Sequence, residues 1–362
     1  MVSDESGQDQ ALSLFLTQPP QDPHDAQPSQ DSHDARPSQT PRELSGKLTA
    51  SDFAFRGIAR GGGVLVLILM VAVGAFLAYR ATEALHKDGF SFLTTQQWNP
   101  DGGGFGIAAV IVGTILIALV AITVAVPLAV GAALCISEYA PRRLQRYLIT
   151  TIDLMAAVPS VVFGLWGFFF LEWRMTSLSR WVNDWFGWIP LFRVNGVTRN
   201  QTSPTATFYT SSSFIAGVVV ALMVVPIACS IMREAFSQAP VGEREGAYAL
   251  GATRWGMIRI VVLPFARGAM IGGTMLGLGR ALGETIAVSL IISPVFAIQP
   301  HILQNGTSSI SSLIALHYAE ATPFGVSALM AAGLALFGLT LLVNFLAAVI
   351  VSRSRSGAVS EA

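Results

Sequence analysis

The sequence runs to 362 residues in which 22 Lys and Arg balance 22 Asp and Glu, leaving a formal net charge of +0. Hydrophobic residues make up 52% of the chain and charged residues only 12%, and the mean hydropathy is +0.57. Those values exclude an ordinary soluble domain and place the chain among membrane proteins, because a helix crosses a bilayer with about 20 apolar residues and several charge-free runs are longer.

Taken in chain order, the first part is a different material. It is rich in Gln, Asp, Ser and Pro and holds a tandem near-repeat, "DPHDAQPSQ" (22–30) followed by "DSHDARPSQ" (31–39). Such a segment cannot bury enough apolar surface to offset its ordering entropy, so residues 1–55 are assigned as a disordered cytoplasmic tail. It lacks the basic start, apolar core and small-residue cleavage site of a secretory signal. His24 and His33, with the Asp residues around them, are assigned no metal chemistry.

Six transmembrane helices follow, at about 61–79, 107–136, 151–171, 214–231, 269–292 and 324–351. They define an all-α, polytopic membrane domain over 56–354, with 355–362 as a short cytoplasmic tail. Pro127, Pro159 and Pro226 fall within or near the ends of spans, where a missing donor is expected to kink the helix rather than break it. Cys135 and Cys229 both lie in predicted spans and are expected to stay free thiols. The segment from Trp173 to Thr210 is expected as a long outside loop, and Trp173, Trp181, Trp185 and Trp188 in it suit an interfacial helix or an aromatic belt.

Orientation comes from Lys and Arg near the span ends. With the amino terminus inside, the inner segments hold Arg36, Arg42, Lys47, Arg56 and Arg60, then Arg142, Arg143 and Arg146, then Arg233, Arg244, Arg254, Arg259 and Arg267, and finally Arg353 and Arg355, 15 against the six outer residues Arg80, Lys87, Arg174, Arg180, Arg193 and Arg199. A multi-pass plasma-membrane protein of a prokaryote, with both termini cytoplasmic, is the expectation.

One inner segment is unusually polar and punctuated: "REGAYALGATRWGMIRIVVLP", residues 244–264. Pro240 suits the first turn of a helix, Glu243 and Glu245 suit its positive end, and Gly251 can supply the left-handed residue that closes it. A second helical stretch begins near Thr253 and leads back toward the membrane before Pro264 interrupts it. Read without any relative, the segment is an amphipathic connector.

The spacing of Glu245, Gly246, Ala247, Gly251, Val261, Leu263 and Pro264 resembles the "EAA, x3, G, x9, I-x-L-P" loop of ABC-importer membrane subunits, with Gly246 where Ala is usual and Val261 where Ile is usual. That resemblance implies an ABC type I importer permease fold in which about 236–266 forms a coupling loop that docks on a separate cytoplasmic ATPase. "LMAAVPSVVFGLWGFFFL" (154–171) and "GLGRALGETIAV" (277–288) further resemble the phosphate-importer permeases of the PstC type, and the likeness covers the chain from about 61 to the end. It implies a subunit for inorganic phosphate, with sulfate or molybdate as the alternative cargo. Its expected partners are a PstA-like sister permease, a PstB-like ATPase dimer, a PstS-like extracytoplasmic binding protein and membrane lipid, with no nucleic acid. No cofactor is expected on this chain, ATP and magnesium belonging to the ATPase.

Arg280 and Glu284 sit within the fifth expected span, where an ionised side chain costs on the order of 3 kcal/mol on insertion scales and needs a partner or a wet cavity. A spacing of four puts both on one helical face, close enough to pair. Two readings stand: a structural bridge between helices, or a substrate path in which Arg280 offers a planar fork of donors to the anion and Glu284 limits how tightly it is held.

No nucleotide-binding loop of the form G-x-x-x-x-G-K-[ST] is present, so ATP hydrolysis falls to a partner. No catalytic residue and no metal ligand is expected. An intramembrane hydrolase is disfavoured because His24, His33, His86, His301 and His317 all lie outside the predicted spans. A secondary transporter could use the Arg280 and Glu284 pair but leaves the 245–264 spacing unexplained.

Overall fold

The computed structural model describes residues 50–197 and 205–355, and the described residues from 63 onward form one compact unit. The assignments made to the amino-terminal tail up to residue 49 and to the end of the chain beyond residue 355 lie outside the described residues. Among the described residues the architecture is all-α apart from a small hairpin with two residues in each strand, β1 (Trp98–Asn99) against β2 (Gly104–Phe105), and an isolated bridge between Ser212 and Asn305.

The helices run in the order α1 (Ala50–Arg80), α2 (Thr82–Asp88), α3 (Ser91–Thr94), α4 (Ala108–Leu134), α5 (Arg142–Ala157), α6 (Ser160–Trp166) and α7 (Glu172–Phe186). They continue with α8 (Ser213–Ser237), α9 (Val241–Ala249), α10 (Arg254–Met257), α11 (Leu263–Gly283), α12 (Ile286–Ile291), α13 (Ile310–His317) and α14 (Pro323–Arg355). Wider π-type turns at Cys135–Tyr139, Gly167–Leu171 and Ile258–Val262 extend α4, join α6 to α7 and join α10 to α11.

Five of these stretches are long and apolar enough to cross a membrane: Phe53–Arg80, Ala108–Tyr139, Ser213–Ser237, Arg254–Gly283 and Pro323–Ile350. A sixth arises if the bent pair Arg142–Ala157 and Ser160–Phe186 counts as one span. In a hydrocarbon layer every backbone donor and acceptor must be satisfied within the helix, which is why long uninterrupted helices carry the crossings.

The centre of the unit is the packing of α4 on α8. Small residues set their separation: Ala121, Ala125, Ala129 and Ala133 recur every four residues on α4 and are all wholly buried, so one face of the helix is nearly flat. Gly217 on α8 meets this face so closely that a Cβ there would lie 2.6 Å from Val120 Cβ. Around the pair, Ile215, Val219, Val224, Ala281, Ala287 and Ile291 complete one cluster, and Ala228, Met232, Phe236, Met257 and Ile258 a second. Two outer helices differ: the most apolar windows of Phe53–Arg80 and Pro323–Ile350 are 0% and 6% buried.

Four local expectations are corrected. Pro159 breaks the chain rather than kinking it: α5 and the helix from Ser160 make an angle of 90°. The residue before a proline is pushed out of the helical region, and Val158 is extended at ψ 128°. A straight third crossing over 151–171 therefore does not form: α5 and the stretch from Ser160 are the two arms of a bent pair. Pro127 and Pro226 stay inside continuous helices. Secondly, the first half of the Trp173–Thr210 segment is not loop but the helix its tryptophans suited, α7 continuing the stretch from Ser160; Trp173, Trp181, Trp185 and Trp188 on and just beyond it are exposed. Thirdly, Pro264 does not end its helix. The π-turn at Ile258–Val262 shifts the hydrogen-bond register just ahead of it, where a missing N–H is absorbed, and one helix runs from Arg254 to Gly283. Fourthly, the fifth span stops at Gly283 instead of reaching Ile292.

Candidate functional site

Two regions collect the residues singled out above. The first is the loop between α8 and α11. Pro240 stands at the N-cap in an extended conformation, with φ −57° and ψ 131°, and α9 follows. Gly251 has φ +83°, a left-handed geometry that costs an L-residue about 1–2 kcal/mol and glycine nothing. Its N–H donates to Tyr248 O at 2.9 Å, and Ala252 N–H donates to Ala247 O at 3.0 Å, so the last carbonyls of α9 are satisfied. The Thr253 hydroxyl then accepts from Gly256 N–H at 3.1 Å and caps the next helix.

The signature residues divide between two faces. Ala247 packs beside Phe236, Ala239, Met257 and Ile258, Val261 is buried, and Leu263 is half-buried in the same cluster. Glu245, Gly246, Gly251 and Pro264 are exposed, as are Val241, Tyr248, Leu250 and Trp255. No residue of α9 is fully buried. The result is a short helix held out from the body by its ends, with a mixed apolar and acidic outer surface.

Two contacts here were not anticipated. Arg244 reaches back to Glu138 in the π-turn that ends α4, with Nη1 to Oε2 at 3.1 Å and Nη2 to Oε1 at 3.1 Å, and its guanidinium also donates to Phe236 O. Arg254 lies over the Tyr139 ring, 5.1 Å from its centroid. Arg244 had counted only as one of the inner positive charges. Glu138, a lone acid at the end of a charge-free apolar run, was the available signal.

The second region is the end of α11. Arg280 is in its last turn and exposed, lining an open groove with Gly272, Met275, Leu276, Gly279 and Asn344. Glu284 is 8% exposed, and its backbone is extended at ψ 121°. The expected ion pair between them does not form: a shared helical face requires a continuous helix, and the helix ends at Gly283, so the two side chains point to different environments. Glu284 Oε1 instead accepts from Ala287 N–H at 3.3 Å.

The break is built rather than frayed. Its freed carbonyls find hydroxyl partners, Gly283 O accepting from Thr285 Oγ1 at 3.1 Å and Glu284 O from Ser311 Oγ at 2.7 Å. That is how irregular backbone is tolerated inside an apolar bundle. Chemically, the region offers one unpaired guanidinium facing an open groove and one buried carboxylate beside a helix break, a combination that suits an anion in transit better than covalent chemistry. Among the described residues, no cluster of three or more His, Cys, Asp or Glu side chains is placed to hold a metal ion.

Comparison with known proteins gives these sites a context. Residues 125–356 match a family described as the binding-protein-dependent transport system inner membrane component. The chain is 39% identical over 304 residues to the phosphate transport system permease protein PstC of Xylella fastidiosa, covering 84% of this chain and 91% of that one. It is 38% identical over 309 residues to PstC 2 of Mycobacterium tuberculosis, covering 84% and 92%, and 36% identical over 303 residues to PstC of Pasteurella multocida, covering 83% and 92%.

Proposed function

The chain belongs to the family of binding-protein-dependent transport system inner membrane components, and from that membership we propose that it is the permease subunit of an ATP-driven ABC importer of type I that carries inorganic phosphate. The observation that carries the reading is the near full-length likeness to permeases named for phosphate transport. An importer of this kind is not itself an enzyme: its energy comes from a separate ATPase, here a PstB-like dimer using ATP and magnesium. A PstA-like sister subunit completes the path, and a PstS-like binding protein delivers the anion from outside.

The two sites take complementary roles in this reading. Glu245, Gly246 and the exposed apolar side chains of α9 face the ATPase, with Gly251 and Pro240 fixing the angle at which that helix is presented. Arg280 meets the anion in the groove at the end of α11, its planar donor fork matching two phosphate oxygens at once. Glu284, near the same break, keeps the net charge of the path low enough for release. The excess of basic residues in the inner segments supports an orientation with both chain termini on the ATPase side. The alternative cargo is another tetrahedral or near-tetrahedral oxyanion, sulfate or molybdate.

Uptake of labelled phosphate by cells lacking this chain, with and without its return, tests the assignment, with sulfate and molybdate as competitors. Restored uptake that excess sulfate and molybdate leave unchanged is the expected result. Uptake that either competitor suppresses would move the cargo to that anion.

A further inference from the structure

One guanidinium joins three elements that are distant in sequence. Arg244 stands on α9, the Glu138 that it contacts ends α4, and the Phe236 carbonyl that it also bonds belongs to the last turn of α8. The two charged side chains are 20% and 5% exposed, so this is not a screened surface pair of the kind that contributes almost nothing. Removing either partner leaves the other charge stranded in the interior.

The surroundings show why so much depends on one side chain. The loop helix has no fully buried residue, and its foothold in the apolar cluster is Ala247. At either end stand Pro240, extended, and Gly251, left-handed, where the chain changes direction. Packing alone gives such a helix little resistance to swivelling. A second cation then grips the next residue of the same turn, Arg254 over Tyr139, so both ends of the loop are fastened to the Cys135–Tyr139 turn.

We propose that Arg244 and Glu138 act as a strut that makes α9 move as one piece with the loop-side ends of the second and fourth spans, so that motion of the partner ATPase reaches the substrate path through this pair. Both are positioning residues, touching neither cargo nor nucleotide. Without the strut, force applied at the exposed Glu245 turns the loop helix about its ends and leaves α4 and α8 where they were. The inference rests on the importer reading given above.

The test uses the whole complex in proteoliposomes and reads phosphate accumulated per ATP hydrolysed, for the native chain, Arg244→Gln, Glu138→Gln and Arg244→Lys. The expected result is that the complexes assemble and hydrolyse ATP while the ratio falls about tenfold, within the range of measured coupling free energies. Arg244→Lys keeps the charge but loses the fork, so it assembles even where the neutral variants do not, and its ratio falls too. Exchanging the charges, Glu138→Arg with Arg244→Glu, returns part of the ratio, the remainder being lost with the donor to Phe236 O. Native ratios in the single variants, or failure of Arg244→Lys to assemble, would overturn the strut. A native complex that moves no phosphate with ATP would instead overturn the importer reading beneath it.

Discussion

Replacing Gly217 by Ala tests the packing at the centre of the fold. The added Cβ would lie 2.6 Å from both Cβ and Cγ1 of Val120 and 3.1 Å from Ile117 O. Ordinary carbon contacts are about 3.5–4.0 Å, so the two helices must separate by about 1 Å locally. Val120 cannot swing aside, because a β-branched side chain has one strongly preferred rotamer in a helix. Overpacking of this kind costs about 1–3 kcal/mol. Gly272→Ala is the matched control: nothing lies within 4 Å of a Cβ at that position, so only the helical preference for Ala acts, worth about 0.5–1 kcal/mol in the stabilising direction. Thermal inactivation of the two purified variants in detergent, followed by loss of the monodisperse complex, should move Gly217→Ala below the native protein and Gly272→Ala to its level or above. Equal midpoints for the two would refute the close approach of α4 and α8.

Further predictions concern the two sites. Gly251→Pro removes the N–H that donates to Tyr248 O and forbids φ +83°, so the chain should insert while ATPase copurification and uptake are lost; Gly251→Ala, with open space around its Cβ, should lose only about 1–2 kcal/mol of loop stability and keep partial uptake. Glu245→Lys, reversing an exposed charge on α9, should weaken ATPase copurification without lowering the amount of protein in the membrane, and normal copurification would remove this residue from the docking face. Arg280→Gln should abolish uptake with assembly intact, because Arg280 has no buried carboxylate partner to strand, and Arg280→Lys should transport poorly for want of a two-pronged contact; loss of assembly in either would point to a structural role. Glu284→Gln preserves an acceptor for Ala287 N–H and deletes the charge, so reduced uptake by a stable complex is expected, and unchanged uptake would show that the charge plays no part.

Length and apolar runs were enough to place most of the crossings, because a bilayer enforces long, uninterrupted helices and the sequence must comply residue by residue. The observed ends of α4, α8 and α14 lie within a few residues of the expected ones, apart from the extra turns at the C-terminal end of α8. What sequence periodicity hid were the places where the chain departs from a straight helix. At Pro159 the same residue type that α4 and α8 accommodate at Pro127 and Pro226 produces a sharp bend, with Val158 ahead of it extended, so the residue type alone did not tell the two outcomes apart. At Gly283 the run of apolar residues continues to Ile292, so the helix stop was masked, although Gly followed by the polar pair Glu284 and Thr285 is a stop signal in its own right. Placing Arg280 and Glu284 on one face followed from an assumed continuous helix. The Arg244 and Glu138 contact joins positions 106 residues apart, and a reading built from local spacing has no means to pair them. Glycine at 251 was legible for the opposite reason: its left-handed φ is a property of the residue itself.

Whether this chain forms the membrane path of an importer driven by ATP is read from phosphate accumulation in proteoliposomes that hold the chain, its sister permease, the ATPase and the loaded binding protein. Accumulation against a phosphate gradient is expected only when ATP and magnesium are supplied on the face bearing the 240–264 loop, and none when the ATPase is left out. Accumulation without ATP, driven by an ion gradient through this chain alone, would contradict it.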